Sequence, residues 1–266
     1  MPRILRITSP VIRALVLTLM VGSAAHAQQR VVTVTINNLA PTNSVSFAPL
    51  HLGFHSGVFD AFNNGQTPGA GIVSVAEGGA GGQWQTDFAA ADPTATRGTI
   101  GGALQPGETR SQSFMVNAGL NPFFTFASMV VPSNDFFIGN DNPLAFRLFD
   151  AMGNLVINSI NQSSSQIWDA GSEIFSVAGA AFLVNGVNAV RTAQNGVVSF
   201  NFAELAGFNG QQTATGYTFN SQLTANQPIY RIDFQSQVVP EPGTVVLLST
   251  GLLSLALAAR RRRAQS

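Results

Sequence analysis

Short runs of β-branched and aromatic residues, with polar residues set between them, recur along the middle of the chain. They are VVTVTINN (31–38), SQSFMVNA (111–118), FFTFASMVV (123–131), LAFRLFD (144–150), VVSFNFAEL (197–205) and IYRIDF (229–234). Such runs, bounded by Gly, Asn, Pro and Asp, are the signature of half-buried strands. FAPLHLGFHSG (47–57) reads the same way. Gly, Asn and Gln fill the intervals, as tight turns require. No long window shows a 3.6-residue period. GAGIVSVAEGG (69–79) predicts two helical turns, and EGGAGGQ (77–83) a flexible loop. That loop lacks the Lys-Ser/Thr ending of a phosphate loop, and no βαβ unit surrounds it. Strands at this spacing predict an all-β fold, an antiparallel sandwich or barrel, built as one domain over residues 28–238.

The two ends follow a different pattern. Arg3, Arg6 and Arg13 precede or interrupt an apolar run that closes on Ala25-His26-Ala27. A basic start, an apolar centre and an A-x-A site predict a secretory signal peptide over residues 1–27. At the other end, Val239-Pro240-Glu241-Pro242 leads into sixteen mostly apolar residues, 244–259, and then Arg260 to Arg263. That length is just under the roughly 20 residues of a full span, and the arginines form a cytoplasmic stop. The order of motif, apolar helix and arginine cluster over residues 239–266 resembles the PEP-CTERM sorting signal of Gram-negative bacteria. The resemblance implies an exosortase-type partner, transient inner-membrane anchoring by a transmembrane helix, and release to the cell surface or the extracellular polymer matrix. A plain tail anchor is the alternative.

Setting both ends aside changes the charge. Six arginines and no lysine remain, against twelve acidic residues between Gln28 and Pro240, so the exported body is near −6 rather than neutral. Without a basic patch to hold phosphates, nucleic-acid binding is excluded as a function class. The chain has no cysteine, so an exported domain must stand on its core without disulfides.

Candidate chemistry is sparse. WDAGSE (168–173) places Asp169 and Glu173 four positions apart around Gly171. Two acids at that spacing suit a glycosidase pair, but such clefts are lined by Trp and Tyr, of which the chain has two each. A hard cation fits better. Calcium takes six to eight oxygens from carboxylates, carbonyls and water, usually on loops. VVPSNDFFIGNDN offers Asn134, Asp135, Asn140 and Asp141, and WDAGSE offers Asp169 and Glu173. Turn-capping roles for these residues are the plain alternative. His51 and His55 share a face, but HLGFH lacks the zincin glutamate and no third soft ligand follows, which points to structural histidines. There is no G-x-S-x-G for a serine hydrolase.

Four blocks carry a resemblance to the spondin N-terminal domain family. They are VTVTINNLAPTNSVSFAPLHLGFHSG, AFNNGQTPGAGIVSVAEGG, FTFASMVVPSNDFFIG and LFDAMGNLVINSINQSSSQIWDAGSE. Together they cover most of residues 31–177, and the last two are the most specific; beyond about residue 180 the resemblance fades. It implies a C2-like β-sandwich with a calcium ion at one end. It also implies that the acid of the Pro-Ser-x-Asp run and both acids of the Asp-Ala-Gly-x-acid run are its ligands, here Asp135, Asp169 and Glu173. Phe136 stands where the family commonly has tryptophan. No enzyme is implied. The expected function is therefore a secreted, non-enzymatic calcium-binding sandwich with a structural or adhesive role, meeting extracellular polysaccharide or a surface protein. The alternatives are a carbohydrate-binding module, with Trp84 on the Gly-rich loop stacking on sugar rings, and a glycoside hydrolase using Asp169 and Glu173.

Overall fold

The computed structural model describes residues 29–239, with Thr250, Gly251 and Ser254 beyond them. The expected signal peptide and the expected apolar helix at 244–259 fall outside the described residues, those three apart. Among the described residues no helix is long and apolar enough to cross a membrane. The chain divides into two units, and Arg30–Gln237 is the one that carries the core.

Eleven strands build it: β1 (Gln29–Asn38), β2 (Ser46–Phe47), β3 (Leu50–His55), β4 (Thr96–Ile100), β5 (Thr109–Asn117), β6 (Phe123–Val131), β7 (Phe136–Gly139), β8 (Ser159–Ser163), β9 (Trp168–Asp169), β10 (Ser199–Phe200) and β11 (Pro228–Val238). One sheet runs β5-β1-β11-β8 and the other β10-β9-β7-β6-β3-β4, with β2 added alongside β6. The second sheet is antiparallel at each step, and β8 pairs antiparallel with β11. The two antiparallel sheets make the all-β sandwich that the alternating runs predict.

Alternation decides which side chains fill it. In β1, Val32, Val34 and Ile36 point inward. Outward, Thr33 and Thr35 hydrogen-bond Ser113 and Ser111 of β5 at 2.9 and 2.8 Å, a polar cross-strand ladder. β6 is buried along almost its whole length, because both faces of its sheet are covered. Phe124, Phe126 and Val130 enter the core between the sheets, while Ala127 faces a second cluster on the other side.

That second cluster is a helical layer. α1 (Ala70–Gly78) occupies the expected helical stretch and ends on Gly79 in the left-handed conformation, φ 64°. The expected flexible loop at 77–83 is instead a tight turn between two helices. α2 (Gly82–Ala91) follows at once and has no counterpart in the sequence reading. Its Trp84 and Phe88, one turn apart, pack with Phe59 into the layer. A Cβ on Gly53 would sit 2.2 Å from the Phe88 ring, so glycine there lets α2 lie close on β3. Two other expectations are corrected. LAFRLFD (144–150) forms only isolated bridges, Arg147 to Phe123 at the start of β6 and Phe149 to Leu155, so its pairing ends before a ladder develops. VVSFNFAEL supplies two strand residues and then a 3-10 helix, Ala203–Phe208.

Trp84 is 1% exposed and its indole N–H has no hydrogen-bond partner. Trp84→Ala should therefore cost about 3–5 kcal/mol of folding stability. Trp84→Phe, which keeps most of the volume and removes the unmet donor, should cost far less. Denaturant unfolding of the two variants measures the difference.

Candidate metal site

The pairing of β7 with β9 sets the geometry. Phe136 lies opposite Asp169 and Phe137 opposite Trp168, so the residue before β7, Asp135, reaches the residue after β9. The Ala170 N–H donates to the Asp135 carbonyl at 3.1 Å. Gly171 then turns the chain at φ 66°. A Cβ there would meet the Val197 carbonyl oxygen at 2.6 Å, so both the conformation and the close approach require glycine.

The turn delivers its next two amides to Asp135. Asp135 Oδ2 accepts from the N–H groups of Ser172 and Glu173 at 2.7 and 2.8 Å, and from Ser172 Oγ at 3.1 Å. Asp169 Oδ1 accepts from the Gly171 N–H at 2.7 Å and its Oδ2 from Asn201 Nδ2 at 3.2 Å. Glu173 Oε1 accepts from Asn134 Nδ2 at 3.1 Å, but Glu173 Oε2 is buried with no partner. The structure thus brings Asn134, Asp135, Asp169 and Glu173 together. Asn140 and Asp141 lie at the far end of β7, roughly 13 Å of strand away at 3.3 Å per residue. There Asn140 is committed to the Phe126 amide, Thr125 and the Asn142 carbonyl.

A further acid joins the group from a segment read as strand. Asn201 Nδ2 bridges Asp169 Oδ2 and, at 3.4 Å, Glu204 Oε2. Asn three residues ahead of Glu is a helix-start signal of the capping kind, and it marks where VVSFNFAEL stops being a strand.

The electrostatics show acids crowded without counter-charge. Burial, reinforced by the Asp169 charge, pushes the Asp135 carboxyl up to about 6. Burial raises Glu173, with the nearby Asp135 adding to it against the Asn134 hydrogen bond. Burial and Asp169 likewise raise Glu204. The ion pairs found among the described residues, Arg110–Glu108, Arg191–Glu77 and Arg231–Asp233, leave all four acids out. Among the described residues no group of three or more His, Asp or Glu side chains is arranged to hold a metal by itself. The donors are hard oxygens of the kind calcium takes, but carbonyls or water must complete any shell.

The histidines are structural. His51 Nε2 donates to the Gly79 carbonyl at 3.0 Å, leaving Nδ1 to accept from Thr99. His55 Nδ1 accepts from the Gly57 amide at 3.1 Å, and Nε2 then donates to Thr125 at 2.9 Å. Burial lowers both, His55 to about 4 despite Asp92 nearby, so each is neutral and fully engaged. Trp84 cannot stack on a sugar from an exposed loop, because it is buried inside the helical layer.

A comparison with curated proteins gives no match. The PEP-CTERM protein-sorting motif matches residues 238–263, beginning at the last residue of β11. The chain carries the recognition signal for exosortase-type processing and is a secreted protein routed through the membrane to the cell surface.

Proposed function

We propose that the exported body is a non-enzymatic, calcium-stabilised β-sandwich with a structural or adhesive role in the surface layer or polymer matrix of a Gram-negative cell. The observation that carries this reading is Glu173 Oε2, a buried carboxylate oxygen with no partner, beside acids that form no ion pair with an arginine among the described residues. Leaving such a group unmet is costly, and a hard cation is the simplest group that meets it. Asp135, Asp169 and Glu173 would hold the ion, with Glu204 adding charge through the Asn201 bridge. The same three residues are those that the resemblance to the spondin N-terminal family implies, and a C2-like arrangement agrees with two packed antiparallel sheets. Bound calcium would tie the 132–135 loop to the 170–173 loop, stabilising the folded chain by mass action. A hydrolase is disfavoured, since Asp169 is 8% and Glu173 2% exposed, which leaves little carboxylate surface for a substrate to reach.

Calcium titration calorimetry on the full chain should show binding that Asp135→Asn, Asp169→Asn and Glu173→Gln each weaken at least about tenfold, or about 1.4 kcal/mol. Calcium binding unchanged in all three would sink the ligand set.

The pH dependence has a definite sign. A carboxyl whose pKa is raised on folding holds its proton more tightly in the folded state. Its stabilising contribution is complete below the unfolded value near 4 and is lost as pH rises through the folded value near 6. At about 1.4 kcal/mol per pH unit, Asp135 alone corresponds to roughly 3 kcal/mol. Chain dialysed free of metal should therefore melt roughly 5–10 °C lower at pH 6.5 than at pH 4, and millimolar calcium should erase the decline. Asp92 works in a separate window. Its burial is overridden by hydrogen bonds from Ser56 and Thr94 that hold it at about 2, so its contribution is lost only as pH falls below 4.

Deleting residues 239–266 should move the protein from the surface-associated fraction to a freely released one. Fractionation of cells producing each form, followed by immunoblotting, reads this directly. An unchanged distribution would refute sorting by the tail.

A further inference from the structure

The far end of β7 opens on a cavity of about 200 Å³ at the flank of the sandwich. One wall is the sheet end formed by β7, β9 and β10, and the other is β8, the edge strand of the facing sheet. Two observations there are unexplained by packing. Gln162 points inward from β8 and is 4% exposed, yet its Oε1 is buried with no hydrogen-bond partner. Its NH₂ reaches only the Asn161 carbonyl, at 3.4 Å, and turning the amide over would set two oxygens against each other there, so either orientation leaves a polar atom waiting. Phe200 is 50% exposed although it stacks on the buried Trp168 ring at 3.7 Å and 24°. One face of Phe200 is covered by tryptophan, and its remaining surface is turned to solvent at the cavity.

The other lining groups complete a pattern. Phe146 adds a second apolar surface, the half-buried Asp141 brings a carboxylate, and Gln166 brings an amide. Gln166 Oε1 already accepts from the Ser163 amide at 2.9 Å, which leaves its NH₂ free to donate. Aromatic surface with an amide donor, an amide acceptor and a carboxylate around it fits a sugar ring. Such a ring offers C–H groups on its face and hydroxyls around its rim. We infer that this cavity binds a neutral monosaccharide unit or the end of a neutral glycan. Its volume lies below the roughly 300–1,000 Å³ of sites that enclose a drug-sized molecule, so it takes one ring. Asp141, together with the net negative charge of the body, selects against uronic acids and sulfated sugars. The site is separate from the carboxylate cluster, since Asp135, Asp169, Glu173 and Glu204 do not line it. The inference does not depend on the cation.

The test is an array of neutral and acidic oligosaccharides probed with the purified full chain, followed by titration of the retained glycans with tryptophan fluorescence. Neutral glycans should be retained and should shift the emission of Trp168. Phe200→Ala, at an exposed position, should weaken binding at least tenfold. Gln162→Leu should do the same with a melting temperature no lower than that of the parent, because it removes an atom that has no partner. Trp84→Phe, at a residue that does not line the cavity, should leave binding unchanged. Retention of no glycan, retention of acidic glycans only, or binding that Phe200→Ala leaves intact would each overturn the assignment.

Discussion

The register between β7 and β9 is the constraint on which the rest depends. With Phe136 opposite Asp169, a carboxylate at 135 receives the amides of residues 172 and 173, and Gly171 has to turn where no side chain fits. A slip of one residue would exchange the two faces of β7. Phe136 and Ile138 would leave the core between the sheets and Phe137 would leave the helical layer. Register is therefore held by burial on both faces, and burial on both faces exists only because α1 and α2 cover the outer side. The site is positioned by the hydrophobic packing of the strand that carries it, beginning at Phe136 beside Asp135.

How much of this was legible in the sequence follows from the same geometry. Strands with one wet face, such as β1 and β11, announce themselves through alternation, and their boundaries fall close to the runs that predict them. β7 is buried on both sides and four residues long, and it carries no period at all. α2 escaped because GQWQTDFAAA has only two large apolar residues, although Trp84 and Phe88 are spaced one turn apart. LAFRLFD alternates but meets only the first residues of β6, too short a contact for a ladder. At the site, Asp135, Asp169 and Glu173 were visible as acids in turn-forming motifs. Glu204 was not, because its membership depends on a chain segment returning past β9, which no local pattern records. Asn140 and Asp141 were grouped with Asp135 by proximity in sequence, whereas the strand between them carries them to the opposite end.

That separation gives β7 and β9 two distinct ends with different chemistry. One gathers carboxylates that form no ion pair among the described residues; the other gathers aromatic rings and amides around a small cavity. Both contain a buried oxygen without a partner, Glu173 Oε2 and Gln162 Oε1. Buried polar groups in folded proteins are almost always satisfied. Six among the described residues are not, Trp84 Nε1 and Tyr230 Oη included, and Glu173 Oε2 and Gln162 Oε1 stand apart in lying beside a cluster of acids and against a cavity.

Export sharpens the energetic side. The body has no cysteine with which to cross-link its loops, and from about residue 141 to 227 it contains long stretches of turn and bridge rather than strand. Loops of that kind open locally at low free-energy cost. A cation bridging Asp135 to Glu173 would close a loop of nearly forty residues, the topological service that a disulfide performs elsewhere. Unlike a disulfide, it would act only where the ion is abundant and the acids are ionised. On the proposed reading the chain would be weakly held before the metal binds and firmly held once it does. The raised Asp135 carboxyl is in keeping with that reading: burial and the Asp169 charge make the folded chain resist ionisation, and a bound cation would make the charged state favourable.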